Sequence, residues 1–203
     1  MKRFIAMLCT FLLASSLVFA QETEDEDDYD ETKDISFNMN QAGDQYISIA
    51  LMMTMPLNFG GDFPLYRKAT LITGGAGSLG YHRFLTGWLA VGADISFGYH
   101  PTLGSNIFTY IPLVVNATVQ PSVKNFEFPI TVGIGAAMES YLSRTYFPGF
   151  VFKASAGIFY RATPSWSFGL SDEFMYMPQW YADSKYDDYG IFDSFQISAR
   201  YHF

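Results

Sequence analysis

The sequence predicts an all-β fold: an eight-stranded, antiparallel, up-and-down transmembrane β-barrel. Three observations carry that prediction. Apolar residues recur at every second position in eight segments after residue 44, each about as long as a tilted strand needs to cross a membrane. The connections between segments mix tight turns with longer polar or aromatic loops. Charged residues make up only 16% of the chain while aromatics reach 18%. So little charge would poorly cover a soluble domain, but it suits a wall that faces lipid.

Residues 44–203 are the expected barrel, and two segments precede them. Lys2 and Arg3 lead into an apolar run over 4–13, and Val18-Phe19-Ala20 places small or aliphatic residues ahead of a cut after Ala20. That is the layout of a secretory signal peptide spanning 1–20, and its apolar run is too short to cross a ~30 Å hydrocarbon core. Cys9, the single cysteine, lies inside it, so the mature chain offers neither a disulfide nor a thiolate metal ligand. Residues 21–34 hold nine acids against one Lys. Such a block cannot bury a core, and 21–43 is expected to be an acidic, disordered periplasmic tail. The rest of the chain carries nine basic against eleven acidic residues. It is near neutral, without a basic patch that would suit nucleic acid.

The strands follow in order. Segments 46–56, 69–82 and 87–99 alternate weakly. In 107–120, Ile107, Thr109, Ile111, Leu113, Val115, Ala117 and Val119 share one face, against Phe108, Tyr110, Val114, Asn116, Thr118 and Gln120. Segment 126–141 sets Phe128, Ile130, Val132, Ile134, Ala136 and Met138 against Glu127, Thr131, Gly133, Gly135, Glu139 and Tyr141. Segment 150–161 sets Phe152, Ala154, Ala156, Ile158 and Tyr160 against Lys153, Ser155, Gly157, Phe159 and Arg161. Segment 166–177 is weaker, and 191–203 closes the chain. Tight turns are expected at 83–86, 121–125 and 162–165, with longer loops at 57–68, 142–149 and 178–190. The connection 100–106 is short as well. Turns belong on the periplasmic side and loops outside.

A cation facing lipid at mid-membrane costs roughly 2–4 kcal/mol, so Lys153, Arg161 and Arg200 mark the inside of the barrel. Their parity sends Asp94, Glu139 and Glu173 inward, and these six residues form the expected lumen charge network. If 143–149 is a loop centred on Tyr146, Glu139 stands opposite Lys153, and Lys153 also comes within diagonal reach of Glu173. Asp172 has lipid-facing parity. A β-bulge near Ser171 or a strand end near the headgroups would accommodate it.

Other motifs fit the barrel better than they fit chemistry. Thr73-Gly74-Gly75-Ala76-Gly77-Ser78-Leu79-Gly80 matches a dinucleotide-binding loop, and Tyr181 with Lys185 makes a YxxxK. Too few residues follow Gly80 for a crossover helix, so these glycines are expected to make room in the lumen for long neighbours. His82, His100 and His202 are scattered over different strands, with no spacing that suits a metal. His100 and Ser105 could mimic an outer-rim catalytic pair, but nothing orients the imidazole. Trp88, Trp166 and Trp180 are expected in interfacial aromatic girdles. No cofactor, metal or catalytic residue is expected.

The closing pattern Phe195-x-Ile197-x-Ala199-x-Tyr201-x-Phe203 resembles the ends of small outer-membrane barrels of the OmpA membrane-domain, OmpX and OmpW type, over about 44–203. The resemblance implies that these five residues are read by the barrel assembly machinery in the outer membrane of a two-membrane bacterium, with outer-membrane lipid as the solvent. Family function follows weakly from architecture. Charged and bulky inward residues favour a structural or surface-interaction role, through extracellular loops with an unknown ligand. The alternative is a narrow OmpW-like conduit for small or hydrophobic solutes. The purified mature chain is expected to begin at Gln21. A mature mass that retains residues 1–20 would refute the targeting reading.

Overall fold

In a computed structural model of the chain, the described residues are 40–60 and 71–203. The expected signal segment, its cut site and the acidic stretch lie outside them, as does most of the first loop. Eight long strands form the wall: β1 (Gln45–Gly60), β2 (Gly74–Phe84), β3 (Leu89–Pro101), β4 (Ile107–Val119), β7 (Ile130–Tyr141), β8 (Arg144–Arg161), β9 (Trp166–Gln179) and β10 (Asp188–His202). Each pairs antiparallel with its neighbours in the chain, and β10 pairs with β1 from Tyr46↔His202 to Gly60↔Tyr189. The sheet is therefore closed, and the eight-stranded up-and-down barrel is the fold observed.

Several expected boundaries move: the first tight turn falls at 85–88, not 83–86, and strand extends into the expected loops 57–68 and 178–190. The segment 126–141 is broken by Pro129, which has no N–H to donate to a ladder. Its first residues form instead a small hairpin, β5 (Ser122–Val123) with β6 (Phe126–Glu127), which pairs with β8 at Phe126↔Tyr160 and Glu127↔Phe159. The expected loop 142–149 is mostly strand. Leu142 and Ser143 alone connect β7 to β8, with Leu142 at φ 57°. The turn at 162–165 is as expected: Thr163 Oγ1 accepts from Trp166 N at 3.0 Å, and Ala162 N donates to Trp166 O at 3.0 Å.

Alternation sorts the side chains into two faces. Ile49, Leu51, Leu113, Val115, Ile130, Ile134, Ile158, Leu170 and Ile197 face outward, each about half exposed or more. Inside, the lumen has three levels. At the turn end, Tyr46 and Phe84 pack with Ala90. Charged and polar residues occupy the middle. Toward the loop end an apolar roof gathers Leu71, Phe108, Tyr110, Val114, Ala137, Val151, Met175, Met177 and Phe192, none more than 7% exposed. His100, Phe108, Tyr110 and Phe192 stack there with ring centroids 5.0–6.4 Å apart.

Of the expected glycines, Gly80 makes room in the lumen, while Gly75 and Gly77 have outward parity and do not. The Gly74–Gly80 run lies within β2. A Cβ on Gly80 would meet Asp94 Oδ1 at 1.9 Å, and one on Gly98 would meet Tyr110 Cζ at 2.1 Å. Each bare backbone leaves the space that a long cross-strand neighbour fills. Gly98→Leu should therefore expel Tyr110 from the roof and destabilise the barrel by about 1–3 kcal/mol, as measured by urea unfolding in lipid vesicles. Unchanged stability would show that Tyr110 has room elsewhere.

Candidate functional site

The lumen charges form separate groups, which depend on register. Lys153 Nζ lies 3.0 Å from Glu173 Oε1 and donates to Ser96 Oγ at 3.2 Å. Ser155 stands opposite Glu173 on β8 and β9, so Lys153 reaches its carboxylate diagonally, as expected. Glu139 does not stand opposite Lys153. The two-residue turn places Glu139 against Tyr146 and Gly133 against Lys153, with a register shift of one between Ala137 and Glu139. Glu139 stands opposite the roof residue Tyr110 and accepts from Gln179 Nε2 at 2.7 Å. Asp94 accepts a hydrogen bond from Asn116 and lies 3.6 Å from His82 Nε2.

The turn end holds the strongest group. Arg161 donates to Glu127 Oε1 from Nε at 3.0 Å and from Nη2 at 2.6 Å, with Glu127 fully buried. Arg161 Nη2 also donates to Asn40 Oδ1 at 2.5 Å, and Arg161 Nη1 to Pro164 O at 3.0 Å. Arg200 donates to Gln120 Oε1 at 2.9 Å, lies 3.9 Å from Glu127 Oε2, and rests over the Phe159 ring at 3.5 Å. Sequence reading gave Glu127 inward parity but no partner, because the break at Pro129 that brings β6 against β8 carries no periodic signal. Asn40, expected in the tail, is buried at the barrel mouth and ties the entering chain to Arg161.

His82 and His202 both pack on Tyr46, with ring centroids 4.6 and 5.3 Å from it, whereas His100 belongs to the roof. His100, a member of the aromatic stack, has Nδ1 3.1 Å from Ile72 O, while Ser105 belongs to the turn 102–106. His202 Nε2 lies 2.9 Å from Ser167 Oγ, both buried.

At the loop end, one hydroxyl joins two hairpins. Tyr146 Oη accepts from Trp180 N at 2.8 Å and donates to Trp180 O at 3.1 Å. Tyr181 packs on Tyr146, and Trp180 on Phe150, at 5.3 and 5.7 Å. Burial, with Tyr146, Glu139 and Asp188 nearby, pushes the Tyr181 hydroxyl up to about 12, so it stays a donor, here to Gln179. The β8–β9 ladder stops at Phe152↔Tyr176, although both strands continue, and Pro178 lacks the N–H to extend it. Tyr146 supplies by side chain the bonds that the backbone omits.

The outer face carries the proposed assembly stripe. Phe195, Ile197, Tyr201 and Phe203 are exposed along β10 with Ala199 between them. Tyr201 packs with Trp166 at 5.1 Å and with Phe203 at 6.0 Å, at the turn end where Trp88 is also exposed. Trp180 lies at the opposite end. Asp172 obeys neither accommodation expected for it. The β9 register runs unbroken from Trp166 to Gln179, and Asp172 is the seventh of those fourteen residues, exposed, opposite Phe195. Asp193 also faces outward, opposite Phe174. Carboxylates cost less than Lys or Arg on a lipid face, which makes the placement tolerable.

A closed wall of eight tilted strands with a filled polar lumen defines the class: a small outer-membrane-type β-barrel. Neisserial surface protein A aligns with a TM-score of 0.62 at 10% identity, over 78% of this chain and 98% of that one. OprG of Pseudomonas aeruginosa aligns with a TM-score of 0.54 at 13% identity, over 81% and 97%. At such identities the likeness is one of fold. The chain belongs to a family of uncharacterised proteins, which matches it over residues 23–201. Two uncharacterised proteins of Treponema pallidum (strain Nichols) are similar as well. One is 39% identical over 99 residues, covering 49% of this chain and 45% of that protein. The other is 30% identical over 110 residues, covering 50% and 38%. The matched part thus spans less than half the length of these relatives.

The ion pair in the lumen makes a direct prediction. Lys153→Met should leave the largely buried Glu173 without its cation and cost up to about 3 kcal/mol, whereas Lys153→Met with Glu173→Leu should recover most of the loss. Urea unfolding in lipid vesicles, run as a double-mutant cycle, checks both. Equal loss in the single and double variants would mean the pair does not act as a unit.

Proposed function

We propose that the protein sits in the outer membrane of a two-membrane bacterium as a plugged, non-enzymatic barrel that acts through its loop-end surface. One observation carries this reading: the lumen is blocked by its own side chains. Phe108, Tyr110, Phe192, Met175 and Met177 are at most 2% exposed across the roof, and Lys153, Arg161 and Arg200 fill the levels below. An eight-stranded barrel has an interior just wide enough for its own side chains. What remains available to a partner is the outer end. There the Tyr146–Trp180 contact holds two hairpins in one arrangement. Leu103, Leu142, Phe147 and Trp180 are 59–74% exposed around it, with Arg144, Asp183 and Lys185 among them. That mixture of apolar and charged side chains suits an extracellular ligand. On this reading the barrel assembly machinery recognises the β10 stripe ending at Phe203.

The gap in the β8–β9 ladder favours a second reading, a conduit for small hydrophobic solutes. Above Phe152↔Tyr176 only side chains close the wall, and Val151, Met175 and Met177 of the roof lie near that seam. Bilayer recording separates the two. The mature chain, refolded into planar bilayers at high salt, should give no discrete openings. Stable single-channel steps that are absent from a protein-free control would sink the plugged barrel and promote the conduit.

A further inference from the structure

Two rows of outward side chains run side by side across the wall, perpendicular to the strands. One row is Arg83, Val91, Ala117, Val132 and Ala154, on β2, β3, β4, β7 and β8 in turn. The next row toward the loop end is Tyr81, Ala93, Val115, Ile134 and Phe152. Along them lies an open groove of about 690 Å³, in the size range of sites that hold an apolar ligand. Ala93 and Ala117 keep its floor low, and Gly92 and Gly133 contribute backbone alone.

Because the strands tilt, the groove climbs as it crosses them. Arg83 is the penultimate residue of β2, just before the turn at 85–88 where Trp88 is exposed, so it stands at the interfacial level. Phe152 is midway along β8, deep in the wall. Five strands at ~4.8 Å spacing give a run of roughly 19 Å. Beyond Arg83 its side chains are apolar.

Charge selects the occupant. The Arg83 side chain is exposed and lines the groove. Among the described residues no carboxylate pairs with it. Gln45, opposite it on β1, accepts the Tyr81 hydroxyl instead. A guanidinium with its donors unclaimed by an acid is matched in geometry and charge by a phosphate. Two other grooves on the outer wall differ in this respect. The one over β8 and β9 contains Asp172, which repels an anion, and the one over β1, β9 and β10 has no charged residue.

We propose that the groove from Arg83 to Phe152 is a binding site for an anionic phospholipid of the periplasmic leaflet, the side to which barrel turns belong. The phosphate sits on Arg83, and one acyl chain lies along Ala117 and Val132 toward mid-membrane. The site is on the wall, so it operates whatever the loop end binds.

The test uses the mature chain refolded into nanodiscs of phosphatidylcholine that carry a small fraction of phosphatidylglycerol spin-labelled on its acyl chain. Paramagnetic relaxation of backbone amides is read by NMR. Ala117 and Val132 should relax about fivefold faster than Leu170 and Ile197, which line the other two grooves. The same label on phosphatidylcholine should relax all four alike. Arg83→Gln, checked for heat-modifiable migration, should bring Ala117 and Val132 down to the level of Leu170, and Arg83→Lys should keep most of the enhancement. Ala117→Phe, which fills the floor and leaves the cation in place, should lower the enhancement at Val132. Equal relaxation of all three grooves by the anionic probe would overturn the proposal, as would full enhancement in folded Arg83→Gln. An equal preference shown by the phosphatidylcholine probe would sink the anionic assignment.

Discussion

Hydrocarbon offers no hydrogen-bonding partner to a peptide group, so a sheet can cross it only if its two outer strands find each other. The ladder between β1 and β10 meets that condition, running from Tyr46↔His202 to Gly60↔Tyr189. The rest of the molecule depends on it. Closure sets the lumen's width, and that width decides how the inward side chains must behave. Too narrow to hold bulk solvent, the lumen leaves every inward charge to find a partner within the wall.

The consequences differ by level. At the turn end the demand is met by Arg161 and Glu127, a buried charge-assisted pair, with Asn40 and Pro164 each accepting a further guanidinium donor. In the middle, Lys153 reaches diagonally to Glu173, while Arg200, nearer the turn end, lies against the Phe159 ring. Toward the loop end the same narrowness is met by aromatic and Met side chains instead. A filled lumen of this kind makes the barrel a rigid mount. On the function proposed above, recognition falls to the loop end, where the backbone ladder is incomplete between β8 and β9.

That incompleteness has a local cause. Pro178 cannot donate to a ladder, and the register shift near Ala137 moves the upper part of β8 by one residue relative to β7. Tyr146, brought by that shift opposite Glu139, is then placed to bond Trp180 through its hydroxyl. Neither hairpin depends on the other for its own turn. Two Tyr146–Trp180 hydrogen bonds, the Gln179–Glu139 bond and two ring contacts join them above the paired part of β8 and β9.

The sequence by itself determined the class of fold, the eight strands, the turn at 162–165 and the side of the wall each residue faces. Alternation is a local property: a Lys or Arg costs too much in lipid for its strand's parity to be in doubt, and Lys153, Arg161 and Arg200 are all inward. It also placed Lys153 within reach of Glu173, since the tight turn at 162–165 pins that register. Tertiary structure alone decided which charges meet elsewhere. Glu139 and Lys153 share a face but not a level, because the β7–β8 turn falls at Leu142–Ser143 and the register then slips by one. Glu127 gains Arg161 only when Pro129 breaks the expected strand and folds the preceding residues onto β8. Parity is written in every second residue, whereas register depends on where one turn closes, and a single proline or bulge resets it for all the pairs beyond.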